Sequence, residues 1–223
     1  MEQNGQPQDQ LTIQPKVNPA AEFLEICNDF TEPREIVREA ISNAFDAGAT
    51  VLKISAHVDK TSGVDELVLA FQDNGHGMDL EALEAFFGLG FSTRRVHDDR
   101  GFKTTAAIGE KGHGTKIYFN SRRVEVSTIK KGRRLKAVMD EPRKKLRTGD
   151  VPNVAYEVAD TDAEDGTTVR VIGYNHNSQR GFGHDALRDY IYWFTKFGSF
   201  EQELDIKTFE NVVLHLEGLG RTF

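Results

Sequence analysis

Apolar positions recur at helical spacing between residues 33 and 50, where Ile36, Val37, Ala40, Ile41 and Ala44 form a stripe wide enough to dock on a sheet. The segment predicts one amphipathic helix, with Thr31 as its cap, Pro33 in its first turn and Gly48 just past its end. Residues 18–29 predict a shorter helix with Ala21, Phe23, Leu24 and Ile26 as apolar contacts. Residues 51–59 and 66–72 alternate as strands, and Lys60-Thr61-Ser62-Gly63 between them is turn chemistry, so the two form a hairpin. Residues 79–87 predict a short helix capped by Asp79, with Leu80, Leu83 and Phe86 inward. Another helix spans 115–120. Strands follow at 124–129 and 133–139, joined by Lys130-Lys131-Gly132, and again at 154–158 and 167–172. A helix over 184–197 turns Leu187, Tyr190, Ile191, Phe194 and Phe197 to the core, and residues 211–217 alternate like a strand.

Helices and antiparallel strands are mixed here without βαβ regularity. That pattern predicts an α+β fold with helices over one face of a mixed, mainly antiparallel sheet. Residues 1–17 are Gln-rich and lack an apolar period, which predicts a disordered tail. Residues 18–200 then form a single domain, and 201–223 are a C-terminal extension whose late strand predicts that further native polypeptide follows. Residues 88–107 carry glycines, mixed charges and no steady period, so they predict a lid or binding loop.

Composition narrows the class. The 223 residues leave room for one substantial domain. The sequence contains neither eighteen consecutive apolar residues nor a signal-peptide core, so a cytoplasmic protein with no membrane partner is expected. Its single cysteine, Cys27, excludes an internal disulfide and a cysteine metal cluster. The net charge of −7 hides an asymmetry: residues 122–147 hold eleven Lys or Arg against Glu125, Asp140 and Glu141, a local +8 that leaves −15 elsewhere. Two readings of that window stand, a nucleic-acid patch and the solvated outer face of a hairpin.

Four stretches carry candidate chemistry. On the 33–50 helix, Glu39, Asn43 and Asp46 project together beside the apolar stripe, and a carboxylate next to a carboxamide suits a water-activating base beside a metal ligand. Asp73-Asn74-Gly75-His76-Gly77-Met78 follows a strand: Asp73 is placed to accept a hydrogen bond from an exocyclic amine, and Met78 offers a soft surface to a flat ring. An ordinary Asn-Gly turn is the plain alternative. Ile108 to Lys116 places Gly109, Gly112 and Gly114 ahead of a helix, where exposed amides would cradle phosphate with His113 and Thr115 beside them. The spacing fits neither a Walker A loop nor a dinucleotide fingerprint. Last, Gly166-Thr167 leads into a strand, and the Thr167 hydroxyl is placed to face the same pocket as Asp73.

In this order, the four motifs resemble the GHKL ATPase superfamily of gyrase, heat-shock chaperones, histidine kinases and MutL mismatch-repair proteins. The resemblance runs from about residue 21 to residue 200. The run from Glu39 to Thr50 is most similar to the MutL version, whereas Phe87 to Arg94 and the Gly109–Lys116 loop look closer to the Microrchidia ATPases and the chaperones. The resemblance implies a Bergerat-type two-layer sandwich holding ATP and Mg²⁺ between helices and sheet. It also implies roles. Glu39 would be the base activating water and Asn43 the Mg²⁺ ligand. Asp73 would bind the adenine amino group with Gly77 and Thr167, and Met78 would pack on the ring. Gly109, Gly112, His113, Gly114 and Thr115 would hold the phosphates, and residues 88–107 would form the lid.

Histidine kinases of this type carry Asn where Glu39 stands, so kinase activity is not expected. Several branches draw a cation for the γ-phosphate from a second domain, which implies slow turnover by this region alone. The expected activity is therefore slow Mg²⁺-dependent ATP hydrolysis with nucleotide-driven homodimerisation. The alternative is a nucleotide-gated switch for protein or DNA that hydrolyses little.

Overall fold

The computed structural model describes residues 13–61, 63–89, 114–199 and 211–220. Helix α1 (Pro19–Asp29) is capped by Asn18, whose side chain accepts the Ala21 N–H, and it buries Ala20, Phe23 and Cys27. Phe23 is buried and Leu24 packs on the core as expected, whereas Ala21 is exposed and Ala20 and Cys27 take the remaining buried positions. Helix α2 (Glu35–Asp46) buries the whole predicted stripe, Ile36, Val37, Ala40, Ile41 and Ala44. Each large aliphatic side chain withdrawn from water there contributes about 1.5–3 kcal/mol.

Thr31 does not cap α2. The helix enters through a turn at Pro33–Arg34, with the Glu32 carboxylate taking the Arg34 N–H at 3.0 Å. Its exit follows expectation: Gly48 adopts φ +69°, while the Gly48 and Ala49 N–H groups bond back to Phe45 and Ala44.

Strands β1 (Val51–Asp59), β2 (Glu66–Asp73), β3 (Arg123–Lys130), β4 (Arg133–Asp140), β5 (Val154–Asp160), β6 (Gly166–Ile172) and β7 (Val213–Glu217) form one sheet in the order β5-β4-β3-β6-β2-β1-β7. Every pairing is antiparallel except β1 with β7, which runs parallel. Alternate residues (Leu52, Ile54, Leu69, Phe71, Val124, Val126, Val169 and Val171 among them) enter a single core with α1, α2 and the 3₁₀ stretch Gly114–Phe119. The fold is the expected α+β sandwich with a mainly antiparallel sheet.

Helix α3 (Leu80–Phe87) is capped by Asp79 as expected, but it buries Leu83 and Phe87 while Leu80 faces outward. Charge and proline concealed helix α4 (Pro142–Arg147), which follows β4 and buries Leu146. The helix expected over 184–197 ends early. Helix α5 (His184–Phe194) gives way to an extended Thr195 and a 3₁₀ turn at Lys196–Gly198. Phe194 is consequently 62% exposed rather than core, and Phe197 packs on Phe45 from outside the helix.

Candidate functional site

The polar edge of α2 meets the start of the Gly114–Phe119 stretch. The Asn43 carboxamide donates to Glu39 at 2.9 Å, and a Cβ on Gly114 would stand 2.1 Å from the Glu39 carboxylate. Any larger residue there would make the Glu39 carboxylate shift, so Gly114 and Glu39 lie in direct contact. Tyr118, 1% exposed, lies close enough to feel both Glu39 and Asn43. Burial, and then the neighbouring Glu39 carboxylate, hold the Tyr118 phenol far above its ordinary pKa, so it stays neutral.

Asp73 ends β2, directly opposite Thr167 on β6. Its carboxylate accepts the Gly75 N–H at 2.9 Å and lies near the Thr167 amide. Burial nevertheless raises its pKa above the usual carboxylate value, against the pull of those amides and of His76. The charge is held at a cost, the sign of a group awaiting a partner.

The loop after Asp73 is clamped on two sides. Asn74 accepts the Thr50 and Val51 N–H groups at 2.9 and 2.8 Å, and the His76 N–H bonds to Ala47 O at 3.0 Å. Gly75 lies so close to Ala47 that a Cβ there would sit 2.6 Å from its side chain. Gly77, at φ +64°, would put a Cβ 1.9 Å from Ile129 O. The two glycines therefore bring the loop against the end of α2 and against β3. The Met78 N–H then bonds to the Thr128 hydroxyl at 2.8 Å.

Thr128 and Tyr118 are site residues that motif reading missed. Thr128 had a signal: in Val124-Glu-Val126-Ser-Thr128 it is a hydroxyl at an inward position, and it is fully buried. Tyr118 had none, since Ile-Tyr-Phe reads as core. Of the expected residues, Glu39, Asn43 and Gly114 meet at one end, and Asp73, Gly77, Met78 and Thr167 at the other. The two ends meet where the loop after Asp73 packs on Ala47, just past the end of the helix that carries Glu39 and Asn43. Gly109, Gly112 and His113, and all but the first two residues of the expected 88–107 lid, lie outside the described residues.

Thr115 bonds Phe86 O at 2.8 Å, as does Lys116 Nζ at 2.7 Å, joining the exit of the glycine loop to the end of α3. Lys116 is fully buried, and desolvation lowers its pKa to about 8 although Glu39 and Cys27 pull it upward. Its unfolded form therefore binds more protons than the fold between pH 8 and 10.5, so this group makes stability rise with pH in that window. Burial pushes the Cys27 thiol up to about 12 from 9.0, which opposes the trend above pH 9. Urea unfolding at pH 8.0 and 9.0 should show a rise of about 1 kcal/mol or less, absent in Lys116→Met.

A cleft of about 590 Å³ opens on the same edge of α2, with Arg38, Glu39, Asn43 and Asp46 on one wall and Trp193, Thr195, Lys196 and Ser199 on the other. Among the described residues, no three His, Cys, Asp or Glu side chains gather to hold a metal. Mg²⁺ takes one or two protein oxygens and completes its octahedron from water and phosphate; the Asn43 carboxamide oxygen, its nitrogen turned to Glu39, is a donor of the kind that could hold it. In the basic window, Arg122 pairs with Glu66, Arg123 with Glu125 and Asp140, and Lys130 with Asp79, while Lys131, Arg133, Lys136, Lys144 and Arg147 are exposed. No described helix is long and apolar enough to cross a membrane.

Two solved structures of the ATPase region of Saccharomyces cerevisiae topoisomerase II, one bound to ICRF-187 (dexrazoxane), share the fold. Both reach a TM-score of 0.55 at 15% identity, covering 84% and 83% of this chain. The chain spans about half the length of each, 49% and 47%. No curated protein matches the chain. The family of histidine kinase-, DNA gyrase B-, and HSP90-like ATPases matches residues 31–166, more than half of the sequence. The motifs found along α2 and after β2 fall inside that stretch, and this chain belongs to that ATPase family.

Proposed function

We propose that the chain binds ATP with Mg²⁺ and hydrolyses it slowly. The observation that supports this reading is the packing of the loop that follows Asp73 onto Ala47, at the end of the helix on which Asn43 bonds Glu39. Asp73 accepts the adenine amine, Gly77 and Thr167 complete that cluster, and Met78 packs on the ring. The amides of Gly109, Gly112 and Gly114, with His113 and Thr115, hold the phosphates. Glu39 takes the proton of the attacking water. Bound through Asn43, Mg²⁺ would offset phosphate charge.

The domain occupies residues 18–200. Nucleotide drives association of two copies, and the exposed cations of 122–147 remain a candidate contact for nucleic acid. The test is calorimetry with ATP and Mg²⁺. A saturable heat is expected, and its absence in the intact protein would overturn the reading.

A second reading has one observation in its favour. The Asn43 amide takes one of the roughly four acceptor sites of the Glu39 carboxylate, which steadies the charged form and makes it a weaker base. A chain that keeps this bond with nucleotide present would be a nucleotide-gated switch with little hydrolysis.

A further inference from the structure

Strand β5 lies at one end of the sheet, and among the described residues no strand pairs with its outer side. Its register on β4 runs unbroken from Val154 opposite Met139 to Asp160 opposite Arg133, seven residues without a bulge. It contains neither proline nor lysine, the residues that most often blunt such an edge. Its Glu157 stands opposite Lys136 on β4. Val154, Tyr156 and Val158 stand opposite Met139, Ala137 and Leu135, which are buried, so all six share the core face. Yet Tyr156 is 50% exposed and Val158 45%. The core face therefore continues onto β5 beyond the layer that covers it, as an apolar strip beside an open backbone edge.

A second copy of this chain fits that edge. Two strands related by a two-fold axis perpendicular to the sheet run antiparallel, keep both core faces on one side and match residues of the same face. With the axis at Tyr156, that residue meets its own copy, Val154 meets Val158 of the second copy, and Ala155 meets Glu157. An axis at Glu157 would set that charge against itself. One at Val158 would set Tyr156 against Asp160, and one at Ala155 would set Val158 against Pro152, which has no N–H to give. Charge around the strand favours the same arrangement. Residues 141–150, before β5, hold Arg143, Lys144, Lys145 and Arg147 against Glu141 and Asp150, a net +2. Residues 160–165, after it, hold Asp160, Asp162, Glu164 and Asp165, a net −4. Antiparallel pairing brings the basic entry of one strand beside the acidic exit of the other, twice. We infer that two copies join edge to edge through β5, centred on Tyr156, into one continuous sheet. This contact needs no nucleotide and is separate from the nucleotide-driven association proposed above.

Sedimentation equilibrium of the intact, nucleotide-free protein tests it. A dimer is expected at micromolar concentration. A monomer throughout overturns the inference and leaves the nucleotide-driven association untouched. Tyr156→Lys or Tyr156→Glu alone sets like charges on the axis and should leave a monomer, whereas an equal mixture of the two should recover the dimer. A Tyr156→Lys protein that stays dimeric, or a mixture that stays monomeric, overturns the inference. Cross-linking gives an arm that introduces no charge. The only native cysteine, Cys27, is buried, so Tyr156→Cys in a mild disulfide-forming oxidant should yield a covalent dimer across the axis. Failure to cross-link counts against the pairing just as a monomer does.

Discussion

Glu39→Gln should abolish phosphate release while leaving ATP affinity nearly unchanged. The substitution keeps the side chain's shape against Gly114 and its bond from Asn43, and it removes only the ability to take a proton. Loss of a positioned general base costs on the order of 10²–10⁴ in rate, or about 3–5 kcal/mol of barrier. A phosphate-release assay and calorimetry on the same samples decide the matter. If wild type and variant release phosphate at the same background rate, Glu39 is no base here and the switch reading prevails. Parallel loss of binding would mean instead that Glu39 shapes the pocket.

Asp73→Asn should show the opposite partition, with binding lost and stability gained. Burial raises the Asp73 pKa, so the native state binds protons there more readily than the unfolded chain. This group therefore favours folding at low pH, and that contribution is lost as pH rises through the folded pKa; at neutral pH the ionised form is a cost. A neutral isostere removes the cost, and the melting temperature should rise by a few degrees. The same change sets an NH₂ group against an adenine amine, so ATP affinity should fall about fiftyfold, some 2–3 kcal/mol. A destabilised variant that still binds ATP would overturn the assigned role of Asp73.

What the sequence reveals depends on how local the cause is. The α2 stripe, the Asp79 cap, the β1–β2 hairpin and the glycine after α2 are each determined by residues within a few positions, and all are legible. The facing of Asp73 and Thr167 is legible only through motif order, since their contact is a sheet register between residues 94 positions apart. The break at Thr195 is not legible, because aromatic residues continue at helical spacing past it and only the Phe45–Phe197 contact marks where the chain turns. Nor is α4, where Pro142 and a run of cations read as loop until Leu146 finds the core. Thr128 falls between these cases. Its inward polar position is visible in the strand pattern, but the Met78 and Thr167 partners that explain it come from distant segments.

The parallel pairing of β7 with β1 joins residues 51–55 to residues 213–217. Closing so long a loop is entropically slow, whereas the β3–β4–β5 meander and the β1–β2 hairpin need only short connections. Until β7 arrives, β1 presents a row of unpaired amides and carbonyls at the sheet edge. β7 therefore covers an edge of β1 that would otherwise be open to pairing with another chain.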